Sequence, residues 1–383
     1  MTALLALDRS DAAVHVLIIA VGRYADKDLK PLPGAVLSAE RLAEFWRDAP
    51  LAGGRQLGSI ELLVSSEKPL EMIGVDGVKQ VIEPATFDAV GKAIQDWADR
   101  CSQGAMGIFH WIGHGETVSL TDEAGANNDA CHALYTEDLY RLGDQVIRTG
   151  YHWGNTLRDL QRVVPKPMLC FIDACSHAPE KSRDEGFSSV FRMTKGPIKS
   201  RADVFLSTRP GAKAHSARED QDVGGDFVGG ALFSEGVRLA LTRFGADERD
   251  EEGYAVFPDF IKRAADSRFG RWRRRHGELK DLGEVFVVQG AFSKAVVKLA
   301  APFGMVDLVP HDRRTKNKNC EVMHDKVPRH EPRRANDLWE ADLPYERDYR
   351  ASIMENPGFA REVQEPATKL FAIHSPHRRL EVI

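Results

Sequence analysis

The strongest constraint on the fold is a short apolar run that ends in a reactive side chain. Residues 167–175 read Pro-Met-Leu-Cys-Phe-Ile-Asp-Ala-Cys, and polar residues follow. A run of this length, rich in large apolar side chains and opened by a proline, predicts a strand buried on both faces. The pattern therefore places the thiol of Cys175 at the carboxyl end of a core strand, where ligands gather in open α/β sheets.

A second run of the same form lies upstream. Residues 105–112 are apolar on both faces, and the run breaks at Gly113-His114-Gly115. If the two strands are parallel neighbours, His114 and Cys175 lie at the same edge of the sheet, and a thiol within reach of an imidazole is a nucleophile with its proton partner. A cysteine with no such partner is more often a small buried hydrophobe, which is our interpretation of Cys101 and Cys170.

The rest of the chain alternates strands with amphipathic helices. Further strands are predicted at 15–21, 59–64, 202–207 and 284–288, and helices at 35–46, 87–100, 155–163, 229–241 and 257–268. This alternation implies right-handed crossovers and helices on both faces of the sheet. We therefore expect a three-layer α/β/α fold with a mostly parallel six-stranded sheet.

Two long polar segments and a charged tail interrupt this pattern. Residues 117–150 and 176–201 are predicted to be loops, and loops of this length are more often functional than not. We expect one domain over 13–290, followed by a charged, partly irregular C-terminal extension of unknown role over 291–383.

Composition narrows the class of protein. The net charge is −5, from 52 basic and 57 acidic residues, which gives no electrostatic case for nucleic acid or an anionic membrane. Arg271 and Arg273–Arg275 around Trp272 could contact nucleic acid, but a solvated helix end or an interdomain patch is the commoner explanation. The five cysteines form no Cys-x-x-Cys pair, so we expect neither a disulfide framework nor structural zinc. No signal peptide or membrane span is predicted, which favours a soluble cytoplasmic protein.

Three stretches in this order resemble the caspase-like cysteine peptidases, nearer their bacterial members and the metacaspases than the animal caspases. Residues 109–115 resemble the family's strand ending in Gly-His-Gly, and residues 173–175 its Asp-x-Cys. Residues 207–211, Ser-Thr-Arg-Pro-Gly, resemble the strand and turn that open the small-subunit segment. His114 precedes Cys175 by 61 residues, close to the roughly 50 of such pairs.

The resemblance implies peptide-bond hydrolysis through an acyl-enzyme on Cys175, with His114 as the catalytic histidine. A thiolate is a strong nucleophile, and a nearby imidazole can protonate the leaving amine. The backbone N–H groups of Gly115 and Cys175 would hold the oxyanion, worth on the order of 3 kcal/mol per donor. No cofactor is expected.

Substrate preference follows from where the chain departs from its relatives. The two arginines with which animal caspases read an acidic side chain fall on Leu32 and Ser216, so cleavage after Asp is not expected. Of the paired carboxylates of metacaspases, one matches Asp173 and the other falls on Ser38. The resemblance thus implies cleavage after Arg or Lys, with Asp173 at the pocket floor and Ala214 aligning the substrate backbone. Asp173 could instead cap the next helix, an alternative of nearly equal weight.

Other functions remain open at this stage. The fold could be a catalytically silent interaction or signalling module, with the charged tail recruiting a partner, or a non-peptidase thiol hydrolase or acyltransferase. Calcium could bind the acidic residues of the first loop, but no EF-hand spacing is present, so no metal site is predicted; those residues are Glu116, Asp122, Glu123 and Asp129. The expected partners are a protein or peptide substrate and an activating protein, with no nucleic acid and no membrane. A role in bacterial defence or regulated cell death rests on family analogy alone.

Overall fold

A computed structural model gives the fold of most of the chain. The described residues are 3–6, 13–74, 77–119, 130–142, 145–175, 187–191, 196–209, 212–223, 226–244, 246–250, 253–288, 295–299, 303–310, 319–324, 327–330, 332–335, 337–344, 348–354, 368–372 and 377–382. They divide into two compact units, residues 1–238 with 282–294 and residues 239–281 with 295–383. The predicted domain boundary at residue 290 stays a prediction.

A seven-stranded sheet forms the centre of the first unit. Its strands are β1 (Ala3–Ala6), β2 (Ala13–Val21), β3 (Gln56–Ser65), β4 (Met106–Ile112), β5 (Met168–Asp173), β6 (Ala202–Leu206) and β7 (Phe286–Val288). They lie in the order β1-β3-β2-β4-β5-β6-β7. The five inner strands are parallel and the two edge strands antiparallel. All six predicted strands are present, and β1 adds an edge strand that the sequence analysis missed.

Helices of the first unit cover both faces of this sheet, which confirms the three-layer α/β/α fold. The helices of the described chain are α1 (Pro33–Asp48), α2 (Phe87–Ser102), α3 (Trp153–Val163), α4 (Leu232–Leu239) and, in the second unit, α5 (Pro258–Arg275). Trp97 of α2 and Leu160 of α3 join Phe109 and Cys170 in the core on one face. On the other face, the indole of Trp46 in α1 donates a hydrogen bond to His110 of β4 at 2.9 Å. No described helix is both long and apolar enough to cross a membrane.

The first predicted loop is instead a small antiparallel sheet, so that prediction was wrong. Its three strands are Gly115–Ser119, Ala130–Leu142 and Gln145–His152. Polar residues here suggested a loop, but Thr136 and Glu137 are buried, and Glu137 bonds to neighbouring segments. Glu137 accepts hydrogen bonds from Arg23 and Ser65 and donates its N–H to Ala85.

Two hairpins complete the first unit. They pair Glu71–Ile73 with Lys79–Val81, and Ser216–Asp222 with Val228–Ala231. The second hairpin follows Ala214 and leads directly into α4.

The second unit is richer in strands than the tail composition suggested. Three strands form one sheet, Ala246–Asp250, Gly253–Val256 and Val297–Leu299. Two four-stranded sheets follow. The first consists of Phe303–Pro310, Arg333–Ala335, Leu338–Pro344 and His377–Val382. The second consists of Asn319–His324, Val327–His330, Asp348–Met354 and Thr368–Ala372. A π-helical turn (Ala240–Phe244) and a 3-10 turn (Gly277–Leu279) flank α5.

The arginines at the end of α5 bind acidic side chains of this unit rather than standing in solvent. Arg271 is fully buried and its guanidinium reaches Asp307, Asp342 and two backbone carbonyls. Burial by itself would raise the pKa of Asp342, but the charges of Arg268 and Arg271 outweigh it and the pKa is lowered. These contacts give the arginine cluster a structural role.

We predict that Arg271→Met destabilises the second unit by on the order of 3 kcal/mol, because it leaves buried acceptors and part of the acidic charge uncompensated. Hydrogen exchange of peptides from Phe303–Pro310 and Leu338–Pro344 measures the change. Arg263→Met is the matched control, since Arg263 is exposed on the same helix and lies over the ring of Phe260 at 4.4 Å. Equal exchange in the two variants would contradict the prediction.

Candidate active site

Strand register brings the backbone positions of His114 and Cys175 to the same edge of the sheet. β4 and β5 are parallel neighbours, and Ile112 pairs with Asp173. The N–H of Gly113 continues the ladder by donating to the carbonyl of Asp173 at 3.0 Å. His114 and Cys175 are each two residues beyond that pair, on strands about 4.8 Å apart. Both side chains are partly buried.

The glycines beside His114 allow the two strand ends to approach closely. A Cβ on Gly115 would lie 2.7 Å from the carbonyl oxygen of Ala133 and 3.1 Å from the Cβ of Ala174. A Cβ on Gly113 would lie 2.9 Å from the hydroxyl oxygen of Tyr24. Any larger residue would therefore have to push apart the elements that surround the histidine.

The imidazole of His114 is bound by the loop after β2, residues 22–32. Its Nε2 lies 2.8 Å from the carbonyl oxygen of Lys30. Since a carbonyl only accepts, Nε2 carries the hydrogen in this bond, and Nδ1 is left as the basic nitrogen of the neutral ring. The backbone N–H of His114 donates to the hydroxyl of Tyr24 at 2.6 Å.

Cys175 lies against the segment that precedes the second hairpin. The N–H of Ala214 donates to its Sγ at 3.4 Å. Burial raises the pKa of the Cys175 thiol, the Ala214 N–H lowers it, the charge of Asp173 raises it and that of Lys213 lowers it, with a net rise. The sulfur is therefore held mainly as a thiol, and an attacking thiolate must form by proton transfer.

Asp173 lies beneath the site, fully enclosed. Its Oδ2 accepts hydrogen bonds from the N–H of Ser234 at 3.0 Å and from the Ser234 hydroxyl at 2.8 Å. Ser234 is in the first turn of α4, so the carboxylate of Asp173, at the end of β5, caps that helix. Helix capping was the alternative interpretation of Asp173. Burial raises the pKa of Asp173 to about 6, although the bonds from Ser234 and Ser207 lower it. Its contact with substrate stays a prediction.

The carboxylate of Glu235 lies beside Ser38. Ser38 is the position that the sequence analysis matched to the second carboxylate of the metacaspase pair. The hydroxyl of Ser38 donates to Glu235 at 2.8 Å. Glu235 also forms ion pairs with Arg41 at 3.1 Å and Arg238 at 2.9 Å. Sequence matching missed Glu235 because it reaches this position from a different helix, although its place beside Ser234 follows once α4 is known.

The other substrate-related positions lie close together at the start of α1. A Cβ on Gly34 would lie 2.3 Å from the hydroxyl oxygen of Ser216. Ser216 in turn donates to the carbonyl of Gly230 at 3.1 Å. Leu32, the residue before α1, packs partly buried against the core. The two positions that the sequence analysis matched to the arginines of animal caspases are thus uncharged here.

Some predictions lie outside the described residues or are not tested. Asp122, Glu123 and Asp129 are outside them, as is most of the second polar loop. Among the residues that the structure does describe, no three His, Cys, Asp or Glu side chains are grouped so as to hold a metal ion. Tyr24 and Lys30 were missed; Tyr24 follows the carboxyl end of β2 and could have been suspected from its position.

Comparison with known proteins gives one informative match. A family model described as a caspase domain matches residues 13–231, more than half of the chain. Caspase-1 from Spodoptera frugiperda is a similar solved structure, with 14% identity, a TM-score of 0.41, and coverage of 78% of this chain and 97% of that one. At that score the likeness carries no further weight. No curated protein matches.

We predict that Asp173→Asn changes the pH dependence of stability. The folded-state pKa of Asp173, about 6, lies above its ordinary 3.8, so the ionised form is disfavoured by folding. This cost is absent below about pH 4, grows as the pH rises, and is complete above about pH 6, where it reaches on the order of 3 kcal/mol. Asparagine still accepts from Ser234 but does not titrate.

Urea unfolding at a series of pH values tests this. The free energy of unfolding of the variant, relative to wild type, should increase between about pH 4 and pH 7. Asp99→Asn, at an exposed carboxylate on α2, controls for the loss of one charge. A difference between Asp173→Asn and wild type that does not vary with pH would refute the expectation.

Proposed function

Since the chain belongs to the caspase-domain family, we propose that it is a cysteine endopeptidase in which Cys175 attacks the scissile carbonyl and His114 transfers the proton. At the level of the family, the chain is a caspase-like protease. The observation that supports the proposal is the pairing of Ile112 with Asp173 on adjacent parallel strands, because His114 and Cys175 each follow that pair by two residues.

The chemistry follows from the hydrogen bonds around His114. With Nε2–H donated to Lys30 O, Nδ1 is the basic nitrogen that takes the proton of the Cys175 thiol as the sulfur attacks the carbonyl carbon. The resulting imidazolium keeps its bond to the Lys30 carbonyl, which favours the charged ring. It then protonates the leaving amine, and the acyl group remains on sulfur. Water, deprotonated by the same imidazole, hydrolyses the thioester and restores the thiol.

The oxyanion is assigned to the backbone N–H groups of Gly115 and Cys175. Each donor is worth on the order of 3 kcal/mol in the transition state. The close approach of Gly115 to Ala174 and Cys175, with a Cβ position 3.4 Å from the Cys175 carbonyl, supports a shared cradle from the two strand ends.

Cleavage after Arg or Lys is the proposed preference. Asp173 supports it as a buried carboxylate that is costly to ionise. A cationic side chain that reaches this carboxylate would offset its burial and lower its pKa, whereas an acidic one would add repulsion. Glu235 contributes less, because Arg41 and Arg238 already neutralise it. Ala214, whose N–H reaches the sulfur, is assigned to align the substrate backbone.

The wider setting is part of the same proposal. The substrate is a protein or peptide, an activating protein partner accompanies it, and neither nucleic acid nor membrane is involved. The peptidase domain spans 13–290, and 291–383 is an extension. The protein acts in the cytoplasm, in bacterial defence or regulated cell death.

A positional peptide library, read with wild type and Cys175→Ala, tests the activity. We predict cleavage after Arg or Lys in wild type and none in the variant. Cys170→Ala is the matched control, because Cys170 is a fully buried thiol on the same strand and should not be needed for cleavage. Assays with and without calcium test the metal dependence that sequence left open.

Three outcomes separate the alternatives. Cleavage that survives Cys175→Ala would refute the nucleophile. Cleavage after other residues, or an Arg preference kept by Asp173→Ala, would refute the assignment of the pocket. If wild type cleaves nothing and Cys175 also fails to react with a peptide acyl probe, the catalytically silent interaction module becomes the better description.

A further inference from the structure

Tyr24 contacts His114 at two points. Its hydroxyl oxygen accepts the His114 N–H at 2.6 Å, and its ring lies against the imidazole with centroids 4.9 Å apart and planes at 43°. From these contacts we infer that Tyr24 is a positioning residue, which holds the imidazole of His114 for proton exchange with Cys175. This inference rests on the proposed function, because it assumes that the two side chains act as a dyad.

The need for such a residue follows from the glycines beside His114. Gly113 and Gly115 restrain the backbone less than any other residue would, so the imidazole depends on its contacts for a fixed orientation. The Tyr24 hydroxyl anchors the backbone of His114, the Tyr24 ring limits the tilt of the imidazole, and the Lys30 carbonyl fixes Nε2.

Both restraining groups belong to one closed loop. The N–H of Leu32 donates to the carbonyl of Gly22 at 2.8 Å, which joins the ends of the loop. Arg23 forms an ion pair with Glu137, and the N–H of Ala25 donates to the Glu137 carbonyl at 2.7 Å. Tyr24 lies between these two anchored residues and is only 8% exposed. Its hydroxyl is therefore held in place before substrate arrives.

The phenol positions the histidine without adding charge. Burial raises the pKa of Tyr24 and outweighs the hydrogen bond from the His114 N–H, which lowers it, and a thiolate at Cys175 would raise it further, so the phenol stays neutral at working pH. A neutral hydroxyl beside the site leaves the proton exchange to the imidazole and thiol. Because reacting groups tolerate little misplacement, the loss of this contact should be visible in the dyad's chemistry.

The test follows alkylation of Cys175 by iodoacetamide across pH, with the modified peptide quantified by mass spectrometry. This readout needs no peptidase activity. It compares wild type with His114→Ala, Tyr24→Phe and Tyr151→Phe. Tyr151 is a matched control, because it is also a buried tyrosine whose hydroxyl makes a 2.6 Å hydrogen bond to backbone, here to Phe87 O.

We expect His114→Ala to move the rise of the alkylation rate to higher pH. Tyr24→Phe should move it in the same direction and lower the rate at pH 7 roughly tenfold, which corresponds to the loss of one well-placed hydrogen bond. Tyr151→Phe should leave the pH profile of alkylation unchanged, even if it lowers the melting temperature by as much as Tyr24→Phe does. Gly113→Ala gives a second route, since its Cβ would displace the Tyr24 hydroxyl.

The outcomes distinguish the inference from the function on which it rests. A His114→Ala profile equal to wild type would remove the dyad, and the positioning role with it. A shift in His114→Ala that neither Tyr24→Phe nor Gly113→Ala shares would overturn the role of Tyr24 and leave the dyad standing. Equal shifts in Tyr24→Phe and Tyr151→Phe would mean general loosening, which also overturns it.

Discussion

The parallel pairing of β4 with β5 is the interaction on which the site depends. Because the two parallel strands are in register, a histidine and a cysteine that each lie two residues beyond a paired position come at the same edge of the sheet. The side chains of both strands are buried on both faces of the sheet. A register slip of one residue would move every side chain of the strand to the other face, so the register is strongly specified. The core that stabilises the fold thereby also fixes the geometry of the reactive edge.

The buried carboxylates show how different partners give similar groups different surroundings. Asp173 has hydroxyl and amide donors around it, and burial raises its pKa. Glu235 is as deeply buried, but two arginines and the Ser38 hydroxyl hold it. In the second unit, arginines reverse the effect of burial at Asp342. The nearest partner, rather than depth in the protein, decides how each acid behaves.

The strands could be predicted from sequence because apolar runs of strand length are local signals. Four of the five helices were also predicted to within a few residues, and α5 extends seven residues beyond its predicted end. The same runs led to His114 and Cys175, whose catalytic roles stay predictions. The small antiparallel sheet was not predicted, because Thr136 and Glu137 are polar although buried, and Glu137 is held by partners distant in sequence. The Lys30 carbonyl could not be found at all, since a backbone acceptor leaves no trace in residue type. The orientation of Asp173 needed the position of α4.

Glu137 links the small antiparallel sheet to the rest of the first unit. Its carboxylate holds Arg23 and Ser65, and its backbone holds Ala25 and Ala85, so the strand Ala130–Leu142 is tied to the loop that contains Tyr24 and Lys30. A shortened version of the domain that kept the large sheet and omitted residues 115–152 would lose these ties. A minimal scaffold designed from this chain must therefore keep residues 115–152 or supply another support for the loop that contacts His114.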